Sequence, residues 1–580
     1  MPESVALSGP ATAVPVAHKP LQKRTSALNT LFFYLGLEKR VHKDDRKTQR
    51  LRILTLGVLS IVFVASAIGF YIMWWTNMYN ESVLENLILR KNATATEWWA
   101  KPPVYPLLKV HIFNYTNTKE FLAGTDAKLK VKDLGPYVYK ETAEKRNVVH
   151  NTDGTISYRD YRYIQYEPLQ SEGKPFDQVV VPNVVFLSAV AKKRSETYFS
   201  NMMFNTAAAG LGAAPFMTQP ADSFIWGYED NLLSLAKRFF TDGIDSSTFG
   251  MLMSRNGTSA ENFTIFSGES SLRDLAIIKQ MDGKNRLDLW HTDECDLVGG
   301  TDGTQFPPHL MEGKQTLQVF IKSLCRKFPL VYDSEVTALD GIPAWRYKIP
   351  TTVFAHPDEH KPNHCFCHLQ SGSCPPSGLF NISGCSMGAP IFASFPHFYT
   401  GDRELIESIE GIEPVQELHE SYADIHPRLA FPIDGASRFQ INIQVQKASG
   451  ITGFEKFKDG QYLPVLWLEV VPGVISEELR SMIYHSTYSA NAIQMSLRVA
   501  SLVFFVLSLV MLLARFYCCS KATSSMKREE QERQFAQVRY EGKDHEPAQV
   551  VCENKLEQIK QLDNKPEHNP NTLYPALNQL

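Results

Sequence analysis

The sequence has little that is extreme. Its 580 residues carry 59 basic and 62 acidic side chains, a net charge of -3, so no overall field recruits nucleic acid or presses the whole chain onto anionic lipid. With 44% hydrophobic and 21% charged residues, collagen-like, coiled-coil and wholly disordered compositions are excluded. Catalytic motifs are missing too. There is no Walker sequence and no His-Glu-x-x-His. Gly210-Leu-Gly212-Ala-Ala-Pro215 lacks the last glycine of a dinucleotide fingerprint, and Gly268-Glu-Ser270-Ser-Leu272 lacks the final glycine of a nucleophile elbow. His419, Glu420, Asp424 and His426 lie close together but with no other mechanistic residue beside them, and read as a structural hydrogen-bonded cluster. The chain is read as a non-enzyme, with no catalytic residue, cofactor or metal expected.

Long apolar runs are also scarce. A mean hydropathy of -0.21 excludes a polytopic transporter but leaves room for one or two spans. Two are present. Ile53 to Trp75 has no charged side chain and ends in Trp74-Trp75, an aromatic pair suited to the headgroup level. The second runs from Ala492 to Ala514, with Arg498 near one end, where a long side chain can snorkel. Basic residues crowd the outer flanks: Lys39, Arg40, Lys43, Arg46, Lys47, Arg50 and Arg52 before the first span, and Arg515, Lys521, Lys527 and Arg528 after the second. The expected order is therefore a cytoplasmic tail (1–52), a span (53–75), an extracellular or lumenal domain (76–491), a span (492–514) and a cytoplasmic tail (515–580).

The glycosylation sequons agree with that order. Asn80, Asn92, Asn114, Asn256, Asn262 and Asn381 all open Asn-x-Ser/Thr in the large loop, and neither tail has one; Asn80 lies close to the span. Cysteines agree as well. Of nine, Cys295, Cys325, Cys365, Cys367, Cys374 and Cys385 fall in the loop, an even number in an oxidising compartment, and read as three disulfides. The competing zinc reading of His364-Cys365-Phe366-Cys367-His368 has poor tetrahedral spacing. Cys518-Cys519, where the second span meets cytosol, are candidate palmitoylation sites, and Cys552 lies in a reducing tail.

Along the chain, residues 1 to about 25 and the tail from Arg515 read as disordered, with Ala27 to Leu37 a candidate amphipathic helix. The loop reads as mixed α and β. Strands are expected at Lys109–Phe113, Pro136–Lys140, Gln178–Val181, Ala344–Ile349, Phe439–Val445 and Leu463–Val471, and helices at Val184–Phe204 and Asp230–Phe240. The first helix carries Leu187, Val190, Ala191, Tyr198 and Met202 at helical spacing, a pattern usual for core. It runs into the small, apolar stretch Ala207–Ala214, a candidate lipid- or ligand-touching rim.

Several strings, spread in order over nearly the whole loop, resemble the class B scavenger receptor family. They are Gly135-Pro-Tyr-Val-Tyr139, Trp226-Gly-Tyr228, Gly300-Thr-Asp302 with Phe306-Pro-Pro308, Gly341-Ile-Pro343, Cys365-Phe-Cys367, Pro396-His-Phe398, His419-x-x-Tyr422-x-Asp424-Ile425-x-Pro427 and Pro464-Val-Leu-Trp467-Leu. The resemblance implies an α+β ectodomain with an antiparallel β-barrel-like core, an apical helical bundle and an apolar tunnel toward the bilayer. It implies the pairs Cys295 to Cys365, Cys325 to Cys385 and Cys367 to Cys374. It places the ligand-binding apex on Val184 to Phe216, where Lys192, Lys193 and Arg194 supply the positive charge.

The first reading is a receptor that captures lipid, lipoprotein or anionic particles and passes lipid to the membrane or carries ligand inward. The rivals are a lysosomal or endosomal protein that escorts a lumenal partner protein, and a phagocytic or adhesion receptor without lipid transport. An apolar tunnel open at both ends favours the first reading, and uncharged, self-complementary apical helices with a blocked tunnel favour the escort. Tyr574-Pro-Ala-Leu577 fits the Tyr-x-x-Φ form read by clathrin adaptors, and with Leu573 it also resembles an endosomal sorting signal; Tyr34-Leu-Gly-Leu37 has the same form but hugs the basic flank. The expected address is plasma membrane and endosome or lysosome.

Overall fold

The computed structural model of the protein describes residues 45–239, 246–339, 341–367 and 374–541. Ala27 to Leu37, Tyr34, Cys552, Tyr574 and Leu577 lie outside the described residues. The chain forms two compact units, one of the terminal segments up to Trp75 and from Arg498, the other Thr76–Leu497. Its longer helices are α1 (Asp45–Trp75), α2 (Val184–Lys192), α3 (Tyr198–Gly210), α4 (Asn231–Phe239), α5 (Glu477–Tyr484) and α6 (Ala490–Glu541).

In the first unit α1 and the apolar part of α6 are long and apolar enough to cross a membrane, and almost none of their most apolar stretches is buried (0% and 6%). Apolar side chains facing outward suit lipid, where a core helix would bury them. The two helices lie side by side. Phe505 stacks on Phe63 and Phe70 at 5.6 and 4.9 Å, and the hydroxyls of Ser66 and Ser508 meet at 2.7 Å. At one end Arg498 Nε donates to Met73 O (3.1 Å) and Trp74 Nε1 donates to Arg498 O (3.2 Å). The tail expected to be disordered from Arg515 is instead helical to Glu541. No glycine or proline interrupts Ala490–Glu541, its last part is rich in Lys, Arg, Glu and Gln, and Arg528 pairs with Glu532 one turn on.

The second unit is built on one long antiparallel path. Its strands are β1 (Pro106–Tyr115), β2 (Leu129–His150), β3 (Thr155–Tyr166), β4 (Phe263–Phe266), β5 (Ile278–Met281), β6 (Leu317–Ile321), β7 (Arg326–Ala338), β8 (Ile342–Lys348), β9 (Tyr422–Ile425), β10 (Pro432–Gln444) and β11 (Tyr462–Pro472). Their order is β5-β4-β3-β2-β1-β11-β10-β9-β8-β7-β6. Valine, isoleucine and aromatic residues recur through these segments, as a pleated surface favours. Neither end of the path is left bare, because Gly300 and Thr301 serve both. Ile278 N–H donates to Gly300 O (2.8 Å), while Thr301 exchanges backbone bonds with Gln318 and Phe320 of β6. Gly300 has φ +68°, and a Cβ there would sit 2.6 Å from Gln318 O, so only glycine fits. The next residue, Asp302, pairs with buried Lys145 of β2 at 2.9 Å.

Six cysteines pair as Cys295–Cys365, Cys325–Cys385 and Cys367–Cys374. The first two tie segments 70 and 60 residues apart, beside β7.

A polar knot lies inside the sheet. Asp133 of β2 accepts from Trp467 Nε1 of β11 (2.9 Å) and meets His111 of β1 (3.3 Å) and His397 Nε2 (3.2 Å). His397 and Phe398 both have positive φ, +53° and +54°, in a buried turn. That turn is held from two sides: His397 N–H donates to Gln440 Oε1 (2.7 Å), and His397 Nδ1 accepts from Glu413 N–H (3.1 Å). Burial raises the Asp133 carboxyl, but bonds from His111, His397 and Trp467 outweigh it and hold it far below the usual carboxylate range. His419 stacks on His397 at 4.6 Å, and its Nδ1 accepts from Val415 N–H. His426 Nδ1 accepts from the N–H groups of Arg428 and Leu429, while its Nε2 lies 2.7 Å from Thr487 Oγ1. Burial, helped by His397 in one case and Arg428 in the other, lowers His419 and His426 each to about 4.

Two outcomes follow from this frame. Peptide mapping without reductant should return the 295/365, 325/385 and 367/374 links, and Cys295→Ala should leave Cys365 unpaired and retain the protein in the secretory pathway; free thiol at these six positions in the wild type contradicts the assignment. The histidines set the pH response. Above pH 6.5 they are neutral folded and unfolded; from there down to about 4 only the unfolded chain takes up the protons, so acid removes stability, up to about 3 kcal/mol per histidine. The melting temperature of the detergent-solubilised protein should fall across that window. His426→Asn, which can still cap the turn, should flatten the slope; an unchanged slope refutes the account.

Candidate functional site

The segment 184–216 folds as two helices rather than the single one expected over Val184–Phe204. Lys193–Ser195 tighten into a 3-10 turn, Glu196 is extended (ψ 166°), and the Thr197 hydroxyl caps a new helix by accepting from Ser200 N–H. In α2 the apolar periodicity is core: Val184, Val185, Phe186, Leu187 and Val190 are buried, and Asn183 caps the helix at Phe186 N–H (3.0 Å).

Helix α3 reverses the usual amphipathic logic. Its two asparagines face the protein. Asn201, 0% exposed, donates to Lys193 O (3.1 Å) and Ser449 O (2.9 Å), and Asn205 exchanges bonds with Thr452. Four of its large apolar side chains face out, with Phe199 65% and Met203 60% exposed and Tyr198 and Met202 beside them, while Phe204 turns inward onto Phe186 (6.3 Å). Tyr198 and Met202, expected in one stripe with Leu187 and Val190, are therefore on the opposite side of the protein surface from that core. No charged residue occurs in YFSNMMFNTAAAG, so this face is apolar and neutral. An outward apolar helix face has no partner within its own fold and is a docking surface in chemical character.

The expected cations are only partly available. Lys192 is exposed, Lys193 is half-buried with its Nζ 6.0 Å from the Phe204 ring, and Arg194 is held by both oxygens of Asp459 (2.9 and 3.3 Å). The same Asp459 accepts from Lys447 N–H (2.8 Å). The segment 446–461 thus forms the second half of the site, and sequence reading missed it. Its signals were Gly450, Gly453 and Gly460, each with positive φ, and Phe454, which packs against Phe186 at 5.7 Å. Gly450 is fixed by a close approach, since a Cβ would meet Tyr198 O at 2.9 Å.

The remaining sequence candidates separate. Glu420 pairs with Lys348 (2.9 Å), Asp424 grips Arg346 with both oxygens (2.8 and 2.7 Å), and His419 and His426 belong to different hydrogen-bond sets. Among the described residues no cluster of His, Cys, Asp and Glu could hold a metal. None of the six sequon asparagines is buried: Asn92 and Asn256 are exposed, Asn80, Asn114, Asn262 and Asn381 half-buried, with Asn114 Oδ1 accepting from Val180 N–H. Cys518 and Cys519 are free and half-buried in α6.

Residues 56–519 match the CD36 family. Scavenger receptor class B member 1 of Bos taurus is 30% identical over 427 residues, 73% of this chain and 80% of the relative. Lysosome membrane protein 2 of Homo sapiens is 34% identical over 396 residues, 68% of this chain and 80% of the relative. With a match that runs through both apolar helices and everything between them, the chain belongs to the CD36 family, the family of the class B scavenger receptors.

Proposed function

We propose that this membrane-integral scavenger receptor captures lipid-bearing particles on the outward apolar face of α3 and passes lipid toward the bilayer. The observation that carries the reading is the neutral face of Tyr198, Phe199, Met202 and Met203. A lipoprotein surface or an amphipathic helix offers a matching apolar face, and covering each such side chain contributes roughly 1.5–3 kcal/mol. Lys192 and Lys193 at the edge add attraction for anionic ligands. In this reading α2 and α3 form the ectodomain apex, and the sheet curls into a barrel-like core around an apolar tunnel. The bonding of Gly300 and Thr301 to both ends of the strand path supports that closure. A tunnel needs no chemistry: it spares a moving acyl chain about 0.8 kcal/mol for each methylene kept from water, and flow runs down the gradient.

A second reading rests on the same helix. With no charge on α3, the face also suits a lumenal partner protein, and one relative is named for the lysosome membrane. Adhesion without lipid transfer is the remaining alternative. In each case the ectodomain is extracellular or lumenal, both tails are cytoplasmic, the sequons carry glycans and Cys518 and Cys519 are acylated.

The double variant Phe199→Asp, Met203→Glu changes only exposed side chains. It should reach the cell surface normally yet bind labelled lipoprotein at least 10-fold more weakly, with lipid uptake falling in step; wild-type binding overturns the proposal, and lost binding without any wild-type lipid uptake favours adhesion. For sorting, we propose that Tyr574 and Leu577 engage clathrin adaptors or endosomal sorting proteins. Tyr574→Ala should raise the surface fraction in antibody uptake, and an unchanged ratio of surface to internal protein rules the motif out.

A further inference from the structure

Two of the four large side chains on the outward face of α3 carry sulfur. Met202 and Met203 are 42% and 60% exposed, and each follows an aromatic residue by four positions, Tyr198 and Phe199, so two aromatic–thioether pairs lie side by side on the helix surface. Other methionines are shielded: Met311 is buried, and Met217 Sδ accepts from the Tyr228 hydroxyl at 3.5 Å. The helix beneath does not depend on the two exposed thioethers. Thr197 caps its start, Asn201 donates to Lys193 O and Ser449 O, Asn205 bonds Thr452, and Phe204 packs on Phe186. Either sulfur can therefore change chemically while the helix stays in place.

A methionine thioether is apolar and easily oxidised, and one added oxygen turns it into a polar sulfoxide. We infer that Met202 and Met203 are an oxidation site through which lipid hydroperoxides switch off the α3 face; the inference rests on the reading of that face as the surface that takes lipid particles. Docking brings both sulfurs against the lipid layer in which hydroperoxides form, and held proximity speeds a reaction that is otherwise a chance encounter. The thioether sulfur attacks the outer oxygen of the hydroperoxide. An S–O bond forms, the O–O bond breaks, and the hydroxyl proton passes to the departing alkoxide. Sulfur gives up two electrons, and the hydroperoxide is reduced to its alcohol. The helix offers the new oxygen little: α3 carries no charge, and the Thr206 hydroxyl, one turn past Met202, already donates to Met202 O (2.9 Å). Covering the oxidised face then buries an unsatisfied acceptor, and capture weakens. Methionine sulfoxide reductases reverse the step.

The test treats the full chain in phospholipid nanodiscs with tert-butyl hydroperoxide, then measures binding of labelled lipoprotein. Peptide mapping should find sulfoxide at Met202 and Met203, and binding should fall about 10-fold with the melting temperature unchanged. The two methionine sulfoxide reductases together should restore it, which separates methionine from the free thiols of Cys518 and Cys519. The double variant Met202→Leu, Met203→Leu, compared with its own untreated binding, should lose nothing on treatment. Met387→Leu, which removes an 88% exposed methionine from another part of the chain, should lose binding as the wild type does. Binding kept with sulfoxide at both positions, no sulfoxide at either, a loss that the reductases do not reverse, or an equal loss in the double leucine variant overturns this inference and leaves the lipid-particle reading standing. Untreated wild type that binds no lipoprotein sinks that reading, and this inference with it.

Discussion

The pairing of β1 with β11 is the constraint on which the second unit depends. It joins residues 360 positions apart, Lys109 with Glu469, in a ladder running from Pro106–Pro472 to Ile112–Leu466. Closing so long a loop costs conformational entropy that only many simultaneous contacts offset. Here the ladder is reinforced at several levels. Glu469 takes both Lys109 (2.6 Å) and Arg438 of β10 (2.7 Å), and Trp467 stacks on His111 at 3.8 Å while donating to Asp133. Everything between the two strands, including the cysteine-linked segment and the α2–α3 pair, is an excursion from this seam.

Much of the frame was legible because it follows from periodicity and length. The β-branched runs at 109–113 and 463–471 fall within strands, the run at 439–445 does so up to Gln444, and the two apolar stretches become the two long outer helices. What failed did so for local physical reasons. The apolar spacing runs on through Tyr198 and Met202, but spacing does not reveal that Thr197 restarts the helix with another face inward. The tail beyond Arg515 lacks apolar residues and so carries no core signal, yet its strong helix formers extend an existing helix without a new nucleation event. Asp133 was invisible: in Lys-Val-Lys-Asp-Leu it resembles a surface charge, and only folding brings Trp467, His111 and His397 to it. The site was half legible, since segment 184–216 was marked but its partner 446–461 is some 250 residues away.

The buried polar groups and the outward apolar ones are two sides of one allocation. Asn201, Asn205 and Asp459 spend their hydrogen bonds on fixing α3 and its neighbouring loop. That leaves Phe199 and Met203 free of any intramolecular task. A face presented on a helix so firmly anchored loses little further entropy when a ligand covers it, which favours binding by preorganised fit.

Helix α6 has a mechanical consequence. The stretch from Arg515 to Glu541 adds roughly 40 Å of uninterrupted rod at 1.5 Å per residue beyond the apolar span, longer than the hydrocarbon layer is thick. That length is several times the ~8 Å over which salt screens a charged lipid surface. A rod of this length that continued along the axis of its apolar span would act as an outrigger, carrying Glu541 out of electrical reach of the headgroups.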